Sequence, residues 1–214
     1  MAKNYFREGE FFHVFNKSIA GFGIFKDPDN AQRFINTLDY YNSVDIKKSY
    51  SVFLRKNKHF EEDILMPRDN QKIICICYCV MPDHYHLVVR IKYDDVFWKY
   101  ISDVENSYSR YFNTRFDRKG PLWQGRFKAV RIRSNEQLLH VTRYVHINPT
   151  TAYLVEKPED WIFSSYRKII SDQRILTENL KEISIRDSLK YKKFCDDNID
   201  YQRKLAQIKR LIFD

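Results

Sequence analysis

Two histidines stand one residue apart at the start of a β-type run, in the segment 82–90 (PDHYHLVVR). Because successive side chains of a strand point to opposite faces, His84 and His86 share one face. Two imidazoles on one face of a rigid strand can bind one divalent cation. The spacing therefore predicts a metal site. The alternative is that both histidines are only polar residues at the end of a hairpin.

A second pair of polar side chains follows about sixty residues later, in a segment with helical periodicity. Tyr144 and Asn148 are four residues apart and therefore share one helix face. A divalent cation neutralises a phosphate oxygen, and its field or a nearby base can activate a tyrosine hydroxyl, whose pKa is ordinarily about 10. With the two histidines, this pair predicts a metal-assisted tyrosine nucleophile, Tyr144, that acts on a phosphodiester.

Two imidazoles and one amide oxygen would form a mixed set of ligands with open positions, which suits Mg²⁺ or Mn²⁺. His140 lies on the same helical stripe as Tyr144, and together with His146 it is a candidate for proton handling. The alternative for this helix is that Tyr144 only packs against the protein and that Asn148, before Pro149, is a cap or turn residue.

Basic residues are concentrated in one part of the chain. The formal net charge is +9, and the segment 110–133 holds eight Lys and Arg residues, with interleaved aromatic residues and a single acid, Asp117. Cations that follow a phosphate backbone and aromatic rings that stack on bases are typical of a single-strand groove. The alternative is an amphipathic helix and hairpin with aromatic residues in the core. The predicted phosphate contacts are Arg110, Arg115, Arg126, Lys128 and Arg131.

Composition indicates a globular protein, since 43% of the residues are hydrophobic. Cys75, Cys77 and Cys79 alternate along a predicted strand and are expected to face the same way, too far apart for a disulfide or a compact zinc site. With Cys195 they are expected to be buried in a reducing compartment. Neither a signal peptide nor a membrane-spanning apolar run is visible, so we expect a cytoplasmic protein with no membrane partner.

Hydrophobic periodicity and turn residues divide the chain into elements. Alternating and β-branched runs predict strands over 11–19, 72–81, 84–91 and 127–133. Helical spacing predicts helices from 27–30 onward, over 94–116 and from 134 to about 148, where Pro149 is expected to end the last one. Ser134 and Gln137 match a capping box at its start. The segment 50–54 is interpreted as a short strand or a continuation of the preceding helix.

This order of elements predicts the fold class α+β. It fits a ferredoxin-like split β-α-β arrangement with an antiparallel sheet and helices packed on it. Beyond Ser171 the chain is polar, charged and helical in pattern. We therefore predict a catalytic domain over 1–170 and a helical C-terminal extension over 171–214.

Five stretches in this order resemble the REP-associated tyrosine transposases, a branch of the HUH single-strand DNA endonucleases related to the smallest insertion-sequence transposases. The resemblance runs from about residue 10 to about residue 168, and the C-terminal segment matches nothing in the family. After Asn148-Pro149 the family often reads VRAG, whereas this chain reads TTAY. The five stretches are 12–17 (FHVFNK), 81–86 (MPDHYH), 120–128 (GPLWQGRFK), 143–149 (RYVHINP) and 161–166 (WIFSSY).

The resemblance implies a role for each matching residue. His84 and His86 match the metal-binding pair, Tyr144 matches the nucleophile, and Asn148 matches a third polar metal ligand. It also implies a transposase-like DNA endonuclease and strand transferase that acts on single-stranded or hairpin DNA, as a monomer or homodimer. Cleavage would leave a 5′-phosphotyrosine and a free 3′ hydroxyl. The alternatives are a non-catalytic hairpin DNA-binding protein of the same fold and a metal-dependent hydrolase that uses activated water.

Overall fold

A four-stranded antiparallel sheet forms the centre of the molecule. The computed structural model describes residues 6–57, 60, 63–179, 181 and 184–205. The strand order is β2-β3-β1-β4, and every neighbouring pair is antiparallel. This is the order of a ferredoxin-like split β-α-β fold, so the predicted α+β class is confirmed. The strands are β1 (Phe11–Lys17), β2 (Ile73–Val80), β3 (His84–Ile91) and β4 (Lys128–Ile132).

Helices cover both faces of this sheet. The helices before the C-terminal region are α1 (Pro28–Tyr41), α2 (Tyr50–Lys56), α3 (Val96–Arg115) and α4 (Asn135–Thr151). On one face, α1 and α3 pack together over the strands, and the Phe34 ring lies 4.9 Å from that of Tyr85. On the opposite face, α4 contacts β2 and β3. The core therefore has two layers, one on each side of the sheet.

Side-chain alternation in β1 separates the two faces. Phe12, Val14 and Asn16 are buried against the α1 and α3 layer, whereas His13 and Phe15 are half-buried on the other face. The sequence predicted that this strand ends at residue 19, but it ends at Lys17. A short 3-10 turn (Ile19–Gly21) follows. Ser18 still donates its backbone N–H to the Asp83 carbonyl, whereas the N–H of Ile19 donates to the Leu122 carbonyl in the loop before β4.

Two predictions about local structure are wrong. The segment 50–54 is neither a strand nor part of α1; it belongs to α2, whose first turn is capped by the Ser49 hydroxyl. Helix α4 does not end at Asn148, because Pro149 lies inside it. Pro149 donates no hydrogen bond, but the hydroxyls of Thr150 and Thr151 both donate to the Ile147 carbonyl and support the last turn.

The cysteines are buried and free of disulfides, as predicted. The expected common face holds for Cys77 and Cys79 but not for Cys75, because a β-bulge lies between Cys75 and Cys77. Cys75 pairs with Val89 and Cys77 pairs with Val88. Successive residues of β3 point to opposite faces, so Cys75 faces the α1 and α3 layer while Cys77 faces α4.

Short helices follow α4: α5 (Tyr166–Ser171), α6 (Gln173–Asn179) and α7 (Ser188–Asp196), and residues 199–205 are also helical. Tyr191 and Cys195 of α7 are fully buried, and α7 contacts both α4 and α5. The division into domains at residue 170 stays a prediction. Among the described residues, no helix is long and apolar enough to cross a membrane.

A buried carboxyl group links several of these elements. Glu105 of α3 accepts hydrogen bonds from Asn16 Nδ2 and from the Tyr85 hydroxyl, both at 2.7 Å. Asn16 Nδ2 also donates to the Gly125 carbonyl at 3.0 Å, so the network reaches the loop before β4. Burial raises the pKa of Glu105 to about 7, although the two hydrogen bonds to its carboxyl oppose this rise.

We expect the contribution of Glu105 to the free energy of unfolding to fall as the pH rises from about 4.5 to about 7. In this range the folded protein keeps a proton on Glu105 that the unfolded chain has released, so this group makes folding less favourable as the pH increases. A shift of this size corresponds to at most roughly 3 kcal/mol. Glu105→Gln keeps an acceptor oxygen and cannot titrate, so urea unfolding of this variant should lose that decrease.

Asp103→Asn, which removes a more exposed carboxylate from the same helix, is the matched control. It should keep the pH dependence of the unaltered protein. Equal pH slopes in the unaltered protein and in Glu105→Gln would contradict the prediction.

Candidate functional site

The two histidines of β3 face the same side of the sheet, as their spacing predicted. In the register with β1, His84 lies opposite Lys17 and His86 lies opposite Phe15. Their ring centroids are 5.0 Å apart and the rings are nearly perpendicular. Strand pairing on both sides of β3 holds the backbone of this pair rigidly.

His84 is held by a neighbouring carboxylate. Its Nδ1 lies 2.6 Å from Asp83 Oδ1, and Lys17 Nζ lies 3.3 Å from the other oxygen of that carboxylate. Burial alone would raise the pKa of the Asp83 carboxyl, but the bonds to His84 and Lys17 outweigh it and lower that pKa. A carboxylate at Nδ1 leaves Nε2 of His84 as the nitrogen that can bind a metal ion.

His86 is held by a third histidine, His13 of β1. Nδ1 of His86 lies 3.0 Å from Nε2 of His13. Burial, and then the proximity of His84 and His13, lower the pKa of His86 well below its ordinary value. The other ring nitrogen, Nε2 of His86, is buried and has no hydrogen-bond partner among the described residues. A neutral imidazole with an unsatisfied buried nitrogen is a suitable metal ligand.

Helix α4 carries Tyr144 across the sheet to these histidines. Its ring centroid is 5.7 Å from that of His86 and 6.0 Å from that of His13, in edge-on contacts. The tyrosine is 41% exposed, so it remains open to a ligand. Burial raises the pKa of Tyr144, and a hydrogen bond with the Asn148 side chain partly opposes this rise.

Asn148 is half-buried, one helical turn beyond Tyr144. It lies beside the tyrosine but is not among the residues that line the pocket. In the described part of the chain, no three His, Cys, Asp or Glu side chains are grouped as a metal centre. A metal ion at the two histidines would therefore take its remaining ligands from an amide oxygen, water or phosphate.

A pocket of about 480 Å³ opens beside the two histidines and Tyr144. Three cations border it, since Lys17 ends β1, Arg126 precedes β4 and Lys128 begins β4. The pocket can therefore hold an anionic group against the tyrosine ring. Its lining residues are Phe15, Asn16, Lys17, His84, His86, Gln124, Gly125, Arg126, Lys128 and Tyr144.

The predicted phosphate contacts do not form one groove. Arg126 and Lys128 lie at this pocket, whereas Arg110 and Arg115 line a separate pocket of about 610 Å³ beside α2 and α3. Arg115 also pairs with Asp27 at 3.0 Å. Arg131 alternates to the opposite face of β4 from Lys128 and pairs with Glu10 at 2.8 Å. Whether these residues contact DNA stays a prediction.

The two histidines considered for proton handling are not at the pocket. His146 is fully buried and bonds to the Tyr191 hydroxyl at 2.7 Å and to Ser165 Oγ at 2.8 Å. Burial lowers the pKa of His146 to about 3, so it joins α4 to α7 as a neutral residue. His140 is exposed and lies 2.9 Å from an Arg143 nitrogen.

Sequence reasoning missed His13 as a site residue. It stands in β1, about seventy residues before His86, and nothing in the local pattern of β1 indicates its partner. Only the strand register brings the two rings together, with centroids 5.1 Å apart. The carboxylate of Asp83 was also missed, although its position beside His84 was a signal available in the sequence.

Comparisons with known proteins match these observations. The family model described as "Transposase IS200 like" matches residues 35–148, more than half of the chain. A Haemophilus influenzae protein provisionally named a REP-associated tyrosine transposase is 27% identical over 103 residues. That alignment covers 44% of this chain and 58% of the relative, so the chain spans little more than half the length of that relative.

A solved structure is also similar, that of a REP-associated tyrosine transposase bound to a REP hairpin. The match covers 80% of this chain and 85% of that chain, with a TM-score of 0.55. Sequence identity is 17%, so this similarity shows the fold.

The buried histidine of α4 should be structural. We expect His146→Leu to lower the free energy of unfolding by about 1–3 kcal/mol, because Tyr191 and Ser165 each lose a buried hydrogen-bond partner. Urea unfolding measures the change. His140→Leu, on the exposed side of the same helix, is the control and should stay within about 0.5 kcal/mol of the unaltered protein. A comparable loss in both variants would refute the assignment.

Proposed function

The chain belongs to the IS200-like transposase family, and on this basis we propose that it is a metal-dependent single-strand DNA endonuclease and strand transferase. It would act at DNA hairpins through a 5′-phosphotyrosine intermediate. One observation carries the proposal: Tyr144 meets the His84 and His86 pair in a pocket bordered by cations. The solved relative bound to a REP hairpin supports hairpin DNA as the partner.

The available ligands fit Mg²⁺ or Mn²⁺. His84 and His86 would hold the ion through their Nε2 atoms, with the Asn148 amide oxygen as a third ligand. Nε2 of His86 is buried and has no partner in the part of the chain that the structure describes, and this feature supports the fit. When bound, such an ion supplies positive charge that neutralises a non-bridging oxygen of a phosphodiester.

Tyr144 is the proposed nucleophile. Its hydroxyl oxygen attacks the phosphorus, so an Oη–P bond forms and the bond from phosphorus to the 3′ oxygen breaks. The phenol proton passes to solvent, and the leaving 3′ oxygen takes up a proton. Because burial raises the pKa of Tyr144, the phenol is protonated at neutral pH and must lose its proton as the new bond forms. Attack by another 3′ hydroxyl reverses the step and rejoins DNA.

The cations at the pocket have a separate task. Lys17, Arg126 and Lys128 are exposed and lie beside the proposed nucleophile. They would bind phosphates on either side of the scissile bond and hold the strand in line with the tyrosine hydroxyl. Gln124 and Asn16 add polar groups at the same wall.

Covalent attachment tests the proposed nucleophile. Incubation with a labelled single-stranded hairpin library and Mn²⁺ should give a slowly migrating species on a denaturing gel. Tyr144→Phe keeps the ring and removes the attacking oxygen, so this species should disappear while DNA binding remains.

Two other results would each contradict the proposal. Binding without an adduct, on library members retained by the unaltered protein, favours a hairpin-binding protein without cleavage. Cleavage without an adduct favours a hydrolase that activates water.

Salt dependence tests the cations. In a titration of DNA affinity against salt, Arg126→Gln and Lys128→Gln should each weaken binding and reduce the slope by about 1, because each removes one phosphate contact. Arg110→Gln, in the separate pocket beside α3, is the matched comparison: an unchanged slope would confine the DNA to the pocket of Tyr144, and a similar loss of slope would show that the predicted contact at Arg110 is also made. If Arg110→Gln reduced the salt slope by about 1 and Arg126→Gln left it unchanged, the DNA would lie on the other side of the sheet.

A further inference from the structure

We propose that His13 is a positioning residue, which fixes the tautomer of His86 so that Nε2 of His86 carries the lone pair for the metal ion. The metal-binding part of this inference rests on the proposed function. The hydrogen bond that underlies it does not, because the pairing of β1 with β3 alone brings the two rings together.

The geometry places the two rings side by side on neighbouring strands. β1 and β3 are paired so that His13 lies opposite Val88 and Phe15 lies opposite His86. His13 Nε2 and His86 Nδ1 are 3.0 Å apart, within hydrogen-bond distance, and the ring planes differ by 23°. Of the two nitrogens that meet, one must carry the proton and the other must accept it.

The surroundings of His86 decide which nitrogen carries the proton. If the proton were on Nε2 of His86, it would be buried without an acceptor among the described residues. An unsatisfied buried donor is unfavourable. If the proton is on Nδ1, it is donated to His13, and Nε2 keeps its lone pair. The contact with His13 therefore selects the metal-binding form of His86.

His84 is arranged in the same way by a different partner. Asp83 Oδ1 lies 2.6 Å from Nδ1 of His84, just as His13 Nε2 lies 3.0 Å from Nδ1 of His86. Each histidine of the pair is therefore held at Nδ1 with Nε2 remaining for a ligand. Partners of this kind orient metal-binding histidines, and their loss typically weakens metal affinity by about 10–100-fold.

Neighbouring rings also restrict the orientation of His86. The Phe15 centroid lies 5.8 Å from that of His86, and the Tyr144 centroid lies 5.7 Å away. His13 itself contacts both of these rings, at 5.1 Å and 6.0 Å. A substitution at His13 must therefore be compared with one that changes packing alone.

Three variants separate these effects. His13→Leu removes the acceptor, whereas His13→Gln offers an amide oxygen that can accept the same proton. Val130→Leu is the packing control, because Val130 lies opposite His13 on β4, on the side away from His86. Circular dichroism and thermal unfolding establish that each variant is folded.

The first measurement is the ¹⁵N spectrum of the imidazoles in metal-free protein. His86 should be protonated at Nδ1 in the unaltered protein, in His13→Gln and in Val130→Leu. In His13→Leu neither ring nitrogen of His86 keeps a partner among the described residues, so both tautomers should be populated.

The second measurement is Mn²⁺ affinity, by calorimetry on the full chain. It should fall by about 10–100-fold in His13→Leu and recover in His13→Gln. An unchanged tautomer and affinity in His13→Leu would overturn the inference, and so would His13→Gln behaving like His13→Leu. If the unaltered protein binds no Mn²⁺, the metal step of the proposed function and the metal role of His13 both fail. In that case the ¹⁵N spectra still decide whether His13 fixes the tautomer.

Discussion

The antiparallel pairing of β1 with β3 is the interaction on which the candidate site depends. Its register separates two kinds of side chain, with Asn16 and Tyr85 on the face that meets Glu105 and with His13 and His86 on the other. A slip of one residue would send the histidines into the apolar layer under α1 and α3, where imidazoles would lack partners. Burial on one face therefore maintains the polar geometry of the other.

Helix α4 supplies Tyr144 to the site, and the buried residues that hold this helix in place lie outside the site. Val145 and His146 are fully buried, and His146 joins α4 to α7 through Tyr191. This leaves Tyr144 on the exposed side of the same helix, against the histidines of the sheet. The C-terminal segment thus stabilises the helix that carries the proposed nucleophile, although α7 meets α4 at His146 and not at Tyr144.

The basic residues of the segment 110–133 are close in sequence but lie at different places in the structure. From the sequence, the basic segment was expected to form one groove. However, α3 ends at Arg115, and the chain then turns through Asp117 and Gly120, both with positive φ. Arg115 stays beside Asp27, while Arg126 reaches the pocket of the histidines. The turn between the elements, which has no periodicity, decides on which side of the sheet each cation lies.

The sequence by itself determined the features that depend on local periodicity. These are the four strands and the helices α1, α3 and α4, their order, the common face of His84 and His86, and the helix that Tyr144 shares with Asn148. Tertiary structure decided the rest: the partner of His13, the bulge beside Cys75 and the extension of α4 past Pro149. Each depends on contacts between residues far apart in the chain or on a turn that joins two elements. Hydrophobic periodicity, with a repeat of two residues in strands and 3.6 in helices, predicts neither.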